Sequence, residues 1–153
     1  MKKQTVFAMM TLLLAAMAVN AGAAGPEEIL GIWSTEKDEA KVEIFKCADK
    51  YCGRIVWLKD QNYPPGSKEG TPGTPKIDHK NPEPSLRSRP VMGLQFMSDF
   101  AYIGNNAWKG GRLYDPEKGK TYSGKMTLIS PTQLDLRGFI GISLLGRTSK
   151  WTR

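Results

Sequence analysis

The chain has 153 residues, 40% of them hydrophobic, with 22 basic and 15 acidic side chains and a formal charge of +7. That length suits one domain, and the basic residues are spread along the chain rather than clustered, which argues against a nucleic-acid footprint. One histidine and two cysteines are too few ligands for a structural zinc site.

Residues 1–24 read as a secretory leader. Lys2 and Lys3 precede an apolar run from Val6 to Val19, and the small residues of "NAGAAG" follow, with cleavage expected after Ala21, Ala23 or Ala24. The run falls short of the about 20 residues that a membrane-crossing helix needs. No cysteine lies near the cleavage point to carry a lipid. A periplasmic chain of residues 25–153 is therefore expected, and losing Lys2 and Lys3 lowers its formal charge from +7 to +5. For such a protein an anionic envelope component is a plausible partner and nucleic acid is not.

"PEEIL" forms one short turn, with Pro26 at a favoured first position. "LGIWST" is the first strand, and "AKVEIFKC" and "YCGRIVWL" are half-alternating strands joined as a hairpin at Cys47 and Cys52. An oxidising compartment favours a disulfide there, which contributes about 2 kcal/mol in the loop-entropy model. A redox pair normally has two intervening residues at a helix start, and this pair has four in a turn.

The connection at residues 59–90 holds seven of the ten prolines. So long a connection is functional or mobile. Its first half, "PPGSKEGTPGTP", has linker composition and is expected to flex. In the second half, "DHKNPEPSLRSRP", Asn81 is placed to cap a short helix with Pro82 at its first position, ending before Pro90. Asp78 or Glu83 can pair with Arg87 or Arg89. His79 beside an acid suggests a general base, but no Gly-x-Ser-x-Gly elbow occurs and a lone imidazole has no co-ligands. No catalytic residue, metal or cofactor is assigned. Two readings stay open: a stiff connection, or a grip in which the Arg87 and Arg89 forks hold carboxylate or phosphate.

Five more strands follow: "VMGLQFMS", "AWKGGRLYD", "KTYSGKMTL", "TQLDLRGFI" and "ISLLGRTSKWTR". "KTYSGKMTL" alternates best, with Tyr122, Gly124, Met126 and Leu128 on one face. Its other face carries threonine, serine and lysine, unlike the apolar outward band of a membrane-spanning barrel. Glycines 53, 93, 110, 124, 138 and 146 inside strands suggest the corners of a small closed barrel. Without bulges, Trp108, Arg112 and Tyr114 share one face, and Arg147, Trp151 and Arg153 another. Facing inward they suit a small anionic or amphiphilic ligand; facing outward they are ordinary surface or a protein-binding patch.

"YCGRIVWL", "DHKNPEPSLRSRPVMGL", "GGRLYDPEKGKTYSGKM" and "LRGFIGISLLGRTSKWTR", in that order, resemble the exported bacterial family catalogued as domain of unknown function 2147. The resemblance covers nearly all of residues 25–153. It implies export and a barrel, and carries no established activity with it. More distantly, "GIW", with Gly31 and Trp33, and the basic last strand are similar to lipocalin-like barrels, where an arginine near the last strand covers the tryptophan. That similarity implies a floor made by Trp33 with Arg147 or Arg153, a stack that gains roughly 0.5 to 2 kcal/mol. The long loop departs from the pattern, because it follows the third strand and not the first.

The expected fold is all-β: one small closed antiparallel barrel of about eight strands over residues 25–153, with a long loop at 59–90 carrying a short helix. The expected function is non-enzymatic binding of a small molecule, lipid-like or anionic, with Arg87, Arg89, Trp108, Arg112, Tyr114 and Arg147 as candidate contacts. Trp33, Arg153, Asn81 and Asp78 are expected to be structural. The alternative is an envelope interaction or structural protein whose barrel is filled by its own side chains, acting through its basic surface and loop 59–90.

Overall fold

Alternation at period two sends every second side chain of a strand to the same face. In β6 (Lys120–Ser130) it buries Gly124, Met126 and Leu128 and leaves Thr121, Ser123 and Ile129 exposed. The same rule shapes β1 (Gly31–Ser34), β2 (Ala40–Cys47), β3 (Lys50–Leu58), β4 (Gln95–Tyr102), β5 (Ala107–Asp115), β7 (Gln133–Phe139) and β8 (Arg147–Thr152). The computed structural model describes residues 25–153, and the expected leader lies outside the described residues. The eight strands pair antiparallel in chain order and close into a barrel. Closure leaves no long unpaired edge. Cys47 and Cys52 are joined by a disulfide beside the β2–β3 turn.

Two strands start later than their sequences suggest. Residues 91–94 form a turn, closed by the Leu94 N–H on the Val91 carbonyl at 3.1 Å, with Gly93 at φ 83°. "ISLL" is not strand either, because Ser143–Leu145 is a 3-10 turn. Arg137 holds it there by donating to the carbonyls of Ser143 (2.7 Å) and Leu144 (3.0 Å), which a strand would have offered to a neighbour.

The glycines do two jobs. Gly110, at φ 74°, makes a bulge, and the β5–β6 register slips between Trp108 and Gly111. Gly111 and Gly124 are seats: a Cβ at either would strike the buried ring of Phe100, 2.6 Å from Cζ in the case of Gly124. Corners alone do not account for them.

The bulge corrects the expected face of β5. With one extra residue after Trp108, Trp108, Gly111 and Leu113 point inward, whereas Arg112 points to solvent and Tyr114 leaves the lumen face. Trp108 therefore shares no face with Arg112 and Tyr114.

The core fills one end of the barrel. Trp33 is fully buried among Ile29, Val42, Leu134 and Trp151, members of one apolar cluster, and its indole N–H donates to the Ile29 carbonyl at 2.8 Å. Arg153, and not Arg147, covers this tryptophan, 4.3 Å from the ring centroid. Its guanidinium also donates to the carbonyls of Leu30, Glu28 and Pro131 at 2.8–2.9 Å. These bonds matter because β1 and β8 meet at a single residue pair, Ser34 with Thr152. One side chain thus ties the N-terminal turn, the β6–β7 turn and the chain end across the thinnest seam.

Candidate functional site

Up-and-down order places the connections at 35–39, 59–94, 116–119 and 140–146 at the opposite end from that floor. Here the lumen is open. A cavity of about 460 Å³ has walls that include Val42, Ile55, Phe96, Leu113, Leu136 and Trp151. A second, of about 600 Å³, shares Leu113, Asp115, Tyr122, Leu136 and Ser149 with it and runs out beside Phe139, Ile140, Leu145 and Arg147. The shared residues set the two side by side at the mouth, with apolar walls and polar groups at the rim.

Loop 59–90 folds over this mouth as a lid. Its first half is no unpaired linker. The Tyr63 N–H donates to the Thr74 carbonyl and the Gly73 N–H to the Tyr63 carbonyl, both at 2.9 Å, and Asn62 bridges Pro75. Tyr63 is buried against Gly70, where a Cβ would strike its ring. A second close approach ties the lid to the β5–β6 turn. Gly119, at φ 64°, lies so near the Lys80 carbonyl that any side chain there would displace it. Lys80 also pairs with Glu69.

The second half of the lid hangs on one buried carboxylate. Asp78 is fully buried and accepts from Tyr114 Oη at 2.5 Å, Asn81 Nδ2 at 2.7 Å and the Arg89 guanidinium at 2.8 and 2.9 Å. Buried carboxylates persist where donors surround them. Burial, and then the bond to Asp78, push the Tyr114 hydroxyl up to about 12. At neutral pH it is therefore a fixed donor that joins β5 to the lid.

Asn81 does not cap a helix beginning at Pro82. The turn is Pro84–Leu86, and Glu83 is its N-cap. Asn81 Oδ1 instead accepts from the Glu83 N–H at 2.9 Å while its amide serves Asp78, and with both ends engaged it is buried. The proline at 84 sets the start, since a residue before proline is disfavoured in the helical region, which excludes Glu83 from the turn.

The arginines expected to grip an anion are engaged within the lid. Arg89 is spent on Asp78, and Arg87 donates through Nε to the Asn81 carbonyl at 2.7 Å. Arg112 lies outside and lines neither cavity. Trp108 packs in the core, 5.0 Å from Tyr102 and edge-on to Tyr51, and also lines neither cavity; its indole N–H has no acceptor among the described residues. Tyr114 stands at the rim. Arg147 stands at the outer mouth, 87% exposed and 3.9 Å from Glu36. His79 reaches the rim with Nδ1 3.3 Å from Tyr63 Oη.

Reading for charge overlooked the residues that wall the lumen: Ile55, Leu58, Phe96, Leu113, Tyr122, Leu136 and Ser149. For Ile55, Tyr122, Leu136 and Ser149 the signal is positional, since they are inward-parity residues in the mouth-side halves of strands, whereas Leu58 and Phe96 sit at register shifts that alternation does not show. For Leu113 that parity shows only once the bulge at Gly110 is known.

Among the described residues no group of His, Cys, Asp and Glu is arranged to hold a metal, and no helix is long and apolar enough to cross a membrane. No curated protein matches the chain. Among solved structures, protein HP1028 from the human pathogen Helicobacter pylori, described as belonging to the lipocalin family, matches with a TM-score of 0.67 and 29% identity, covering 82% of each chain. The barrel is lipocalin-like in its closed eight-stranded order and in the capped tryptophan of its floor. Residues 31–153 match the family described as an uncharacterized protein conserved in bacteria, DUF2147, and the chain belongs to that family.

Proposed function

We propose that the protein is exported to the periplasm and there binds a small amphiphile, its apolar body in the lumen and its polar head at the outer mouth near Arg147. One observation carries the reading. The two adjoining cavities lie at one end of a barrel whose other end is filled by the apolar cluster, so the open end is not a general failure to fill space. Pockets of a few hundred Å³ with apolar walls and a few polar groups suit such ligands. The leader-like residues 1–24 and the Cys47–Cys52 disulfide support the compartment. The lipocalin family of the H. pylori protein supports the class of ligand. At the outer mouth Arg147 is exposed and only loosely paired, 3.9 Å from Glu36, whereas Arg89 is bound to Asp78 and Arg87 donates through Nε to the Asn81 carbonyl.

The test is a titration with a dansyl-labelled fatty acid, read by energy transfer from tryptophan. Saturable binding at one site per chain is expected, and Ser149→Phe, which fills the space shared by the two cavities, should weaken it by at least about tenfold, as loss of a pocket does. Native mass spectrometry of protein taken from periplasm gives a second readout should that variant fold poorly. A folded wild-type protein that neither binds the probe nor carries a small molecule overturns the reading.

A further inference from the structure

The β7–β8 connection carries more exposed aliphatic surface than any other part of the mouth. Ile140 is 69% exposed, Ile142 60%, Leu144 82% and Leu145 79%. The turn is not loose. Arg137 donates to the carbonyls of Ser143 and Leu144 and, through Nη1, to Thr148 Oγ1 at 2.8 Å, and Lys125 Nζ reaches Ser143 Oγ at 3.2 Å. The Leu145 N–H serves Ile142 and the Gly146 N–H serves Ser143. Gly146 lies so close to the Gly138 carbonyl and Phe139 that a Cβ would clash with both. Two cationic side chains and a glycine therefore hold four aliphatic side chains outward on a braced turn.

We propose that this loop docks on an anionic lipid surface, with Ile140, Ile142, Leu144 and Leu145 entering the acyl boundary and Arg147 meeting the headgroup phosphates. Three features favour lipid over a protein partner. The apolar residues are all aliphatic, whereas protein interfaces are enriched in aromatics, Met and Arg at their centres. The turn's Ser143 and Leu144 carbonyls are bonded within the chain, which removes much of the cost of taking backbone into a poorly hydrated layer. The flanking charge is basic. Among the described residues Arg147 is held by one 3.9 Å exposed pair with Glu36, loose enough to exchange for phosphate, and Lys125 and Arg137 lie behind the turn. Ile140 and Leu145 also line the outer cavity, so docking would set the open mouth against the bilayer. The proposal does not rest on the ligand reading, because docking needs no occupant in the lumen.

The experiment is co-sedimentation of the exported, purified protein with vesicles of phosphatidylglycerol in phosphatidylcholine, and with phosphatidylcholine alone. Wild type should partition to the anionic vesicles and less to the neutral ones, and added salt should weaken the difference. Leu144→Ser with Leu145→Ser should lower partition by at least about tenfold, with the melting temperature unchanged because both side chains are exposed. Arg147→Ala should reduce binding to the anionic vesicles and leave the neutral ones as they were. Failure of wild type to sediment, or equal binding by the double variant, overturns the proposal. So does a wild-type dimer in sedimentation equilibrium that the double variant dissolves, since a second copy of the chain would then cover the patch.

Discussion

The two ends of this barrel are built from the same strands and treat space in opposite ways. At the floor, Trp33, Ile29 and Leu134 pack together and line neither cavity, and Arg153 ties three segments across it. At the mouth the walls stay aliphatic and aromatic but stop short of meeting, and a lid pinned by one buried carboxylate covers the gap. Stability is therefore concentrated at one end, where changes should be felt by the whole molecule. Changes at the other end should stay local.

Trp33→Ala tests this most severely. It removes a fully buried indole from the centre of the floor and should cost roughly 3 to 5 kcal/mol in urea unfolding, as large core truncations do. A loss below about 1 kcal/mol would mean that the floor does not carry the fold. Arg153→Ala is the next step down. It keeps the core but removes the cation–π contact and three carbonyl bonds, and should cost about 2 kcal/mol, limited by the exposure of the guanidinium. Arg153→Lys should recover less than half, because an ammonium cannot fork to three carbonyls while lying over an indole.

How legible this division was depends on what each part asks of its residues. The strands showed because period-two alternation is a local signal, and "AWKGGRLYD" spans the observed β5 to the residue. The face of that strand did not show, because one bulge at Gly110 inverts everything before it relative to everything after. Sequence proximity leaves Asp78 or Glu83 free to pair with Arg87 or Arg89, and the structure selects Asp78 with Arg89; a further partner, Tyr114, lies 36 residues away on a strand whose face depends on the bulge. The apolar loop was hidden for a different reason. "ISLL" has strand composition, and the groups that hold it as a turn, Arg137 and Lys125, lie on other strands.

Asp78→Ala probes the mouth. It strands the Tyr114 hydroxyl, the Asn81 amide and half of Arg89, and should cost about 1 to 2 kcal/mol, since water can reach part of the released guanidinium. Faster amide exchange should be confined to residues 76–91, with the floor strands unchanged. A uniform rise in exchange would show that lid and floor open together. Alkaline pH probes the same joint. The raised pKa of Tyr114 means the folded state prefers the neutral hydroxyl, so its contribution is complete below the ordinary value of 10.0 and is lost as pH rises through about 12. Ultraviolet titration should show one tyrosine ionising near the top of that window. In Asp78→Ala it should ionise earlier but not at the ordinary value, because burial, the larger cause, remains.

The smallest effect expected belongs to His79. Its Nδ1 lies 3.3 Å from Tyr63 Oη and 3.4 Å from the Ile77 carbonyl, while Tyr63 keeps its own contacts with the Ile77 N–H and carbonyl without it. Removing the imidazole therefore leaves no buried group unpaired. His79→Ala should cost less than about 0.5 kcal/mol and leave lid exchange as in wild type. At the rim it only widens the opening, so affinity for the dansyl fatty acid should change by less than about threefold, against at least tenfold for the cavity-filling Ser149→Phe. A complete loss of binding in His79→Ala with the lid still closed would reverse the comparison, because the imidazole would then be a contact that the ligand needs and Asp78 merely the device that presents it.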